Sequence, residues 1–234
     1  MTVLTRVAAA TPERPESRRP SRLLTAGLVV GPLFTLAYLV EGVLRGHGYS
    51  AVRHPVSSLA LGSRGWEQTL NFLVAGMLVL VFAVGLRRSL RGAPGAGRGP
   101  GAVALPVLVA IWGIGLLGAG VFRTDPVGGY PTAASPVTWH GQLHDLAFSL
   151  PGFLALALAM FTAASVFARR RSPRMALYSA FSAVAFVVLF GFATSGFGGA
   201  DPWVDAAGLW QRLCVTVGWG WLAVLAAQRR TSRR

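Results

Sequence analysis

His140 and His144 are the side chains in this chain best spaced to do chemistry. On a helix, residues four apart share one face, about 6 Å from each other along the axis. Two imidazoles so placed can hold a metal ion, with Asp125 or another nearby acid as a further ligand. Asp145 follows directly and can orient a histidine or take a proton as a base. The pattern lacks a glutamate after the first histidine, so it is not the HExxH signature of zinc peptidases. The competing reading is that His140, His144 and Asp145 form hydrogen bonds that close one end of a helical bundle. Ser135 as N-cap and Pro136 at the first helical position would start the helix that carries all three, and Pro151 would bend it further along.

The elements that must position these residues are apolar. The chain is 53% hydrophobic over 234 residues, and a helix needs about 20 apolar residues to cross a bilayer. Six segments qualify, near 23–44, 69–86, 103–122, 146–168, 175–195 and 209–227. They predict an all-α, polytopic membrane bundle of six helices. The domain organisation is then a disordered Arg- and Pro-rich tail over 1–22, a transmembrane domain over 23–228 and a basic C-terminus over 229–234. Gly92 to Gly101, with Pro94 and Pro100, reads as a flexible linker. The glycines of the third segment (Gly113, Gly115, Gly118 and Gly120) read as close helix packing. Cys214, the single cysteine, cannot form an intrachain disulfide.

A net charge of +14 would suggest a nucleic-acid ligand in a soluble domain. Here the arginines flank apolar segments, so they are read as topology signals and nucleic acid is excluded as a partner. Seventeen of them lie in the N-terminal tail, the second and fourth connections and the C-terminus; Arg45, Arg53, Arg64, Arg123 and Arg212 lie on the other side. The positive-inside rule places the larger group, and both termini, in the cytoplasm. The Gly-, Ala- and Pro-rich composition fits a GC-rich genome, and the expected location is a cytoplasmic membrane, crossed several times. All four histidines and six of the eight acids fall at the outer side, so any chemistry is expected to face outward.

Further contacts for an outer-face ligand come from His54, Arg123, Trp139, Asp201, Gln211 and Arg212. Tryptophan at this depth is also ordinary interfacial anchoring. Arg123 and Arg212 are read as partners of Asp125, Asp145 or Asp201, or as receivers of a lipid phosphate. Glu41 and Arg45, four apart, predict an ion pair. The middles of the second, third and fifth segments hold almost no ionisable group, which leaves an ion or proton path poorly supported.

The segments His54-Pro55-Val56-Ser57-Ser58-Leu59-Ala60, Gly65-Trp66, Arg123-Thr124-Asp125-Pro126 and His140 to Asp145 resemble the pattern of a bacterial family of uncharacterised six-span membrane proteins, the domain of unknown function numbered 998, over about residues 24–228. That resemblance implies fold and topology and no activity. A looser similarity is to membrane hydrolases of the ceramidase and adiponectin-receptor type, which bind zinc through three histidines and an aspartate. It implies metal-site or catalytic roles for Ser57, Asp125, His140 and His144, with His54 as the third histidine. This chain departs from that pattern in having six spans rather than seven and in how its histidines are distributed.

Three functions follow. A non-enzymatic protein that binds a small molecule or lipid at its outer face, or serves as an accessory subunit, asks least of the sequence. A zinc-dependent hydrolase acting on a lipid or amide at the outer leaflet is the alternative. A small-molecule transporter is third, because it needs a polar cavity reaching mid-membrane.

Overall fold

The computed structural model describes residues 22–46, 48–91, 100–132 and 136–231. Six helices are long and apolar enough to cross a membrane: Arg22–Leu44, Gly65–Arg91, Gly101–Val121, Trp139–Arg169, Pro173–Phe197 and Val204–Thr231, here spans 1 to 6. Between its end turns a helix satisfies its backbone donors and acceptors within itself, which lipid demands of any chain that crosses it. The main helices are α1 Ala26–Leu44, α2 Gly65–Arg91, α3 Pro100–Val121, α4 Trp139–Gln142, α5 Leu150–Arg169, α6 Pro173–Phe197 and α7 Ala207–Thr231. Among the described residues there is no β-strand, only an isolated bridge between Val127 and Tyr130. The protein is an all-helical, multi-pass membrane protein.

The spans pack in a ring, each against its neighbours in sequence, and span 6 closes on span 1. Six alternating spans bring Arg22 and Thr231 to one end, called here the arginine end. The other end, where His54, His140 and His144 lie, is the histidine end. Leucine, valine and phenylalanine side chains such as Leu36, Val43, Leu158, Leu177 and Phe181 cover the outside of the ring. The arginine half of the interior is packed solid by fully buried Leu24, Phe82, Leu86, Met160, Leu222 and Leu225. The small residues of span 3 permit its close approaches: a Cβ on Gly115 would stand 2.7 Å from the Phe148 carbonyl oxygen.

Span 4 departs from regular geometry where the candidate chemistry lies. Leu143–Ser149 is a π-helix joining α4 to α5, and the Leu150 N–H bonds back five residues to the Asp145 carbonyl. Pro151 sits in the first turn of α5 without an N–H to give. The irregularity expected at Pro151 is therefore this wide turn on its N-terminal side.

Three local expectations change. Span 4 is capped by Thr138, so Pro136 lies outside the helix, and Ser135 falls outside the described residues. Glu41 and Arg45 form no ion pair; the Arg45 guanidinium turns to the carbonyls of Leu59 and Leu61 in the first connection. Span 6 stays helical through Arg229 and Arg230 to Thr231, with Arg229 buried against Ser89. The tail up to residue 21 and the linker over 92–99 lie outside the described residues.

Candidate functional site

The start of span 4 is organised by Thr138. Its extended backbone and hydroxyl oxygen cap the helix, the hydroxyl accepting from the Gly141 N–H at 3.1 Å. The same hydroxyl donates to Asp125 Oδ1 at 2.6 Å, and the Thr138 N–H donates to Asp125 Oδ2 at 2.9 Å. Asp125 thereby clamps the second loop of the histidine end to the helix start. Gly141 is required beneath the clamp, because a Cβ there would stand 2.1 Å from Asp125 Oδ2.

Both histidines of span 4 dock on the end of span 3. His144 Nδ1 lies 2.8 Å from the Phe122 carbonyl oxygen, and His140 Nδ1 lies 3.2 Å from that of Arg123 and 2.8 Å from Thr138 Oγ. A carbonyl only accepts, so each Nδ1 carries a proton, and in the neutral ring the lone pair sits on Nε2. These contacts satisfy carbonyls at a helix C-terminus. His144 is buried and His140 half-buried. Trp139 is exposed, its ring edge-on to Phe122 and His140.

The first loop is tied down separately. His54 accepts the Ser50 N–H at Nδ1 (2.9 Å), donates from Nε2 to the Gly128 carbonyl (3.2 Å) and stacks on Tyr130. Burial pushes its pKa below the ordinary imidazole value. Arg212 donates to the carbonyls of His54 and Gly208 and to the Tyr49 hydroxyl, with its guanidinium over the Tyr38 ring. Burial raises the Tyr49 phenol pKa although Arg212 opposes it. Arg212 thus serves carbonyls and aromatic rings where acids were expected. Arg123 is exposed, and the ion pairs among the described residues are Arg53–Asp205 and Arg64–Glu67. Gln211 Oε1 accepts the Val56 N–H at 2.8 Å, locking the loop to span 6.

These ties roof a central cavity of about 320 Å³ to which all six spans contribute. Phe34, Phe72, Trp112, Phe153, Phe186 and Trp219 form much of its wall. Trp112 and Trp219 pack together in that wall with ring centroids 4.3 Å apart. Counting along span 3 from Phe122 to Trp112 gives a depth of about 15 Å, half of a hydrocarbon core about 30 Å thick. Ser57, Thr124, His144, Asp145 and Gln211 supply polar groups near the roof. Asp145, Leu146 and Leu150 on span 4 and Thr194 on span 5 line the cavity yet are exposed. They mark a side opening between those spans, where the π-helix lies.

The structure therefore brings Ser57, His144, Asp145 and Gln211 to one cavity and joins Asp125 to His140 through Thr138. His54 and Arg212 form the loop tie, while Asp201 is exposed and Arg123 does not line the cavity. Among the described residues no three His, Cys, Asp or Glu side chains converge. The sequence reading did not find Thr138, Gly141 or the aromatic wall. A threonine three residues before a glycine signals little, and Phe186, Phe190 and Phe197 read equally well as lipid-facing. A cavity extending about 15 Å along span 3 does exist, but its wall below the roof is mostly apolar.

The family described as "Protein of unknown function (DUF998)" matches residues 28–228. No curated protein and no solved structure matches the chain. The chain belongs to the DUF998 family.

Proposed function

We propose that this protein binds an amphipathic small molecule at the outer face of a bacterial cytoplasmic membrane, without chemical conversion. The observation that carries the reading is the central cavity: about 320 Å³, apolar through half the membrane depth, polar under its roof and open sideways between spans 4 and 5. That volume is in the range of small-molecule sites. An apolar chain would fill the aromatic depth while a polar end stays under the loops, and the side opening admits it from the bilayer. A polar solute would leave its hydrogen bonds unmet against that wall, which weighs against transport of one. The arginine distribution supports placing the histidine end outside.

The test uses the protein in phosphatidylcholine nanodiscs, with dodecanol brominated at the chain end as a quencher of tryptophan fluorescence. A chain in the cavity carries bromine to Trp112 and Trp219. Saturable quenching is expected in the wild type and should be lost in Ala119→Phe or Ala193→Phe, which put a ring into the cavity. Quenching that grows without saturation, the same in all three proteins, would refute the proposal.

A zinc-dependent hydrolase is the second reading, favoured by one observation. His140 and His144 each give Nδ1–H to a carbonyl, as metal-bound histidines do. Two nitrogens are fewer than the three or four ligands of a zinc site, so this reading ranks below binding. Near one zinc per purified chain, lost in a folded His140→Ala/His144→Ala variant, would reverse the order. No zinc after zinc is supplied would remove it.

A further inference from the structure

We infer that the occupant of the cavity is a single-chain amphiphile with a cationic ammonium head, held by Asp145; this rests on the binding reading above. Among the described residues Asp145 is the only carboxylate lining the cavity, and no arginine lines it. Among the described residues no hydrogen bond or ion pair engages the Asp145 side chain. The arginines at this end are committed or outside, and the titratable neighbours of Asp145 are His144 and Asp125. Arg212 is turned to His54, Gly208 and Tyr49, Arg45 to Leu59 and Leu61, and Arg53 to Asp205. Arg64 pairs with Glu67, and Arg123 is exposed and does not line the cavity.

Acceptors dominate the rest of the roof. His144 has its Nδ1–H engaged with Phe122, so in the neutral ring Nε2 offers a lone pair. Gln211 has its carbonyl oxygen engaged with Val56, leaving its amide as a donor beside the hydroxyl of Ser57. The hydroxyl oxygen of Ser57 can accept. An ammonium group, with its several donors, finds a carboxylate, an imidazole nitrogen and a hydroxyl. A carboxylate or phosphate head would stand beside Asp145 with no arginine lining the cavity to offset it, a repulsion that selects against anionic amphiphiles. A bilayer phospholipid carries such a phosphate, which is why a single-chain amine is assigned rather than the surrounding lipid.

The test is displacement of brominated dodecanol from the wild type and from Asp145→Asn in phosphatidylcholine nanodiscs at neutral pH, by dodecylamine, dodecanol and dodecanoate. In the wild type, dodecylamine should displace at a concentration about tenfold lower than dodecanoate, equivalent to one charge-pair contact. In Asp145→Asn the two should come within about threefold of each other, and saturable quenching by the brominated probe shows that the variant is folded. Equal potency of amine and carboxylate in the wild type, stronger binding of dodecanoate, or a preference that survives in Asp145→Asn would overturn the assignment while leaving the cavity reading standing. Absence of any saturable probe binding in the wild type would overturn both.

Discussion

Thr138 makes four polar contacts from two atoms: its hydroxyl caps Gly141, donates to Asp125 and meets the His140 ring, and its N–H donates to Asp125. Thr138→Val keeps the shape and removes the hydroxyl. It should cost about 1–2 kcal/mol, the range of a lost N-cap, read as a lower unfolding midpoint in detergent. Gly141→Ala should cost about 1–3 kcal/mol by overpacking, because Asp125 must leave its clamp to admit the methyl group. His54 gives a pH signature. Its neutral ring is fixed by an accepted and a donated hydrogen bond, and its folded pKa lies below the ordinary 6.5. On acidification the unfolded chain takes the proton first, so the His54 contribution is full above about 6.5 and is lost as pH falls through the lowered folded value. The unfolding midpoint should drop between pH 7.5 and 5.5, and His54→Asn should flatten that drop; equal slopes would assign it to other groups. At this scale the sequence displayed the histidines and acids but not their partners. Which carbonyl meets an imidazole depends on helix ends that neither spacing nor charge specifies.

Span 4 shows how an element can be legible in outline and hidden in detail. Its apolar length located it, and the expected start at Ser135-Pro136 came close to the helix start after Thr138. The π-helix over Leu143–Ser149 could not be read, because an i→i+5 turn leaves hydrophobic composition unchanged while rotating every later side chain. That rotation accompanies a buried His144 beside an exposed Asp145 at the opening. Pro151 favours the wide turn, since a residue with an N–H could close a regular bond to the Ala147 carbonyl. Pro151→Ala should therefore raise the unfolding midpoint while weakening displacement of the brominated probe by dodecylamine. Improved stability with unchanged amine binding would show that the wide turn does not position Asp145. The aromatic wall was hidden for a related reason: in a lipid-spanning helix the buried and lipid-facing sides are both apolar. Phe186 inside and Phe181 outside look alike in sequence.

At the scale of the whole molecule, six alternating spans were readable from hydropathy, whereas their ring order and central cavity required three dimensions. A closed ring of neighbouring helices leaves space on its axis unless side chains fill it. Here the arginine half is filled by Phe82, Met160, Leu222 and their neighbours, and the histidine half is not. Ligand access therefore depends on which side of the membrane the histidine end faces, and the arginines argue for the outside. Four arginines, Arg169, Arg170, Arg171 and Arg174, crowd the short connection between spans 4 and 5 and the helix ends beside it. Carrying such a cluster across the bilayer would cost about 2.5–3.5 kcal/mol per arginine at the membrane centre. The native thiol, Cys214, is buried and can be removed as Cys214→Ala for a labelling background. In intact cells, a membrane-impermeant maleimide should then label Ala200→Cys, in the exposed turn after span 5, and should reach Arg170→Cys only after lysis. The reverse pattern would put the cavity mouth in the cytoplasmic leaflet, and a ligand would have to be drawn from inside the cell.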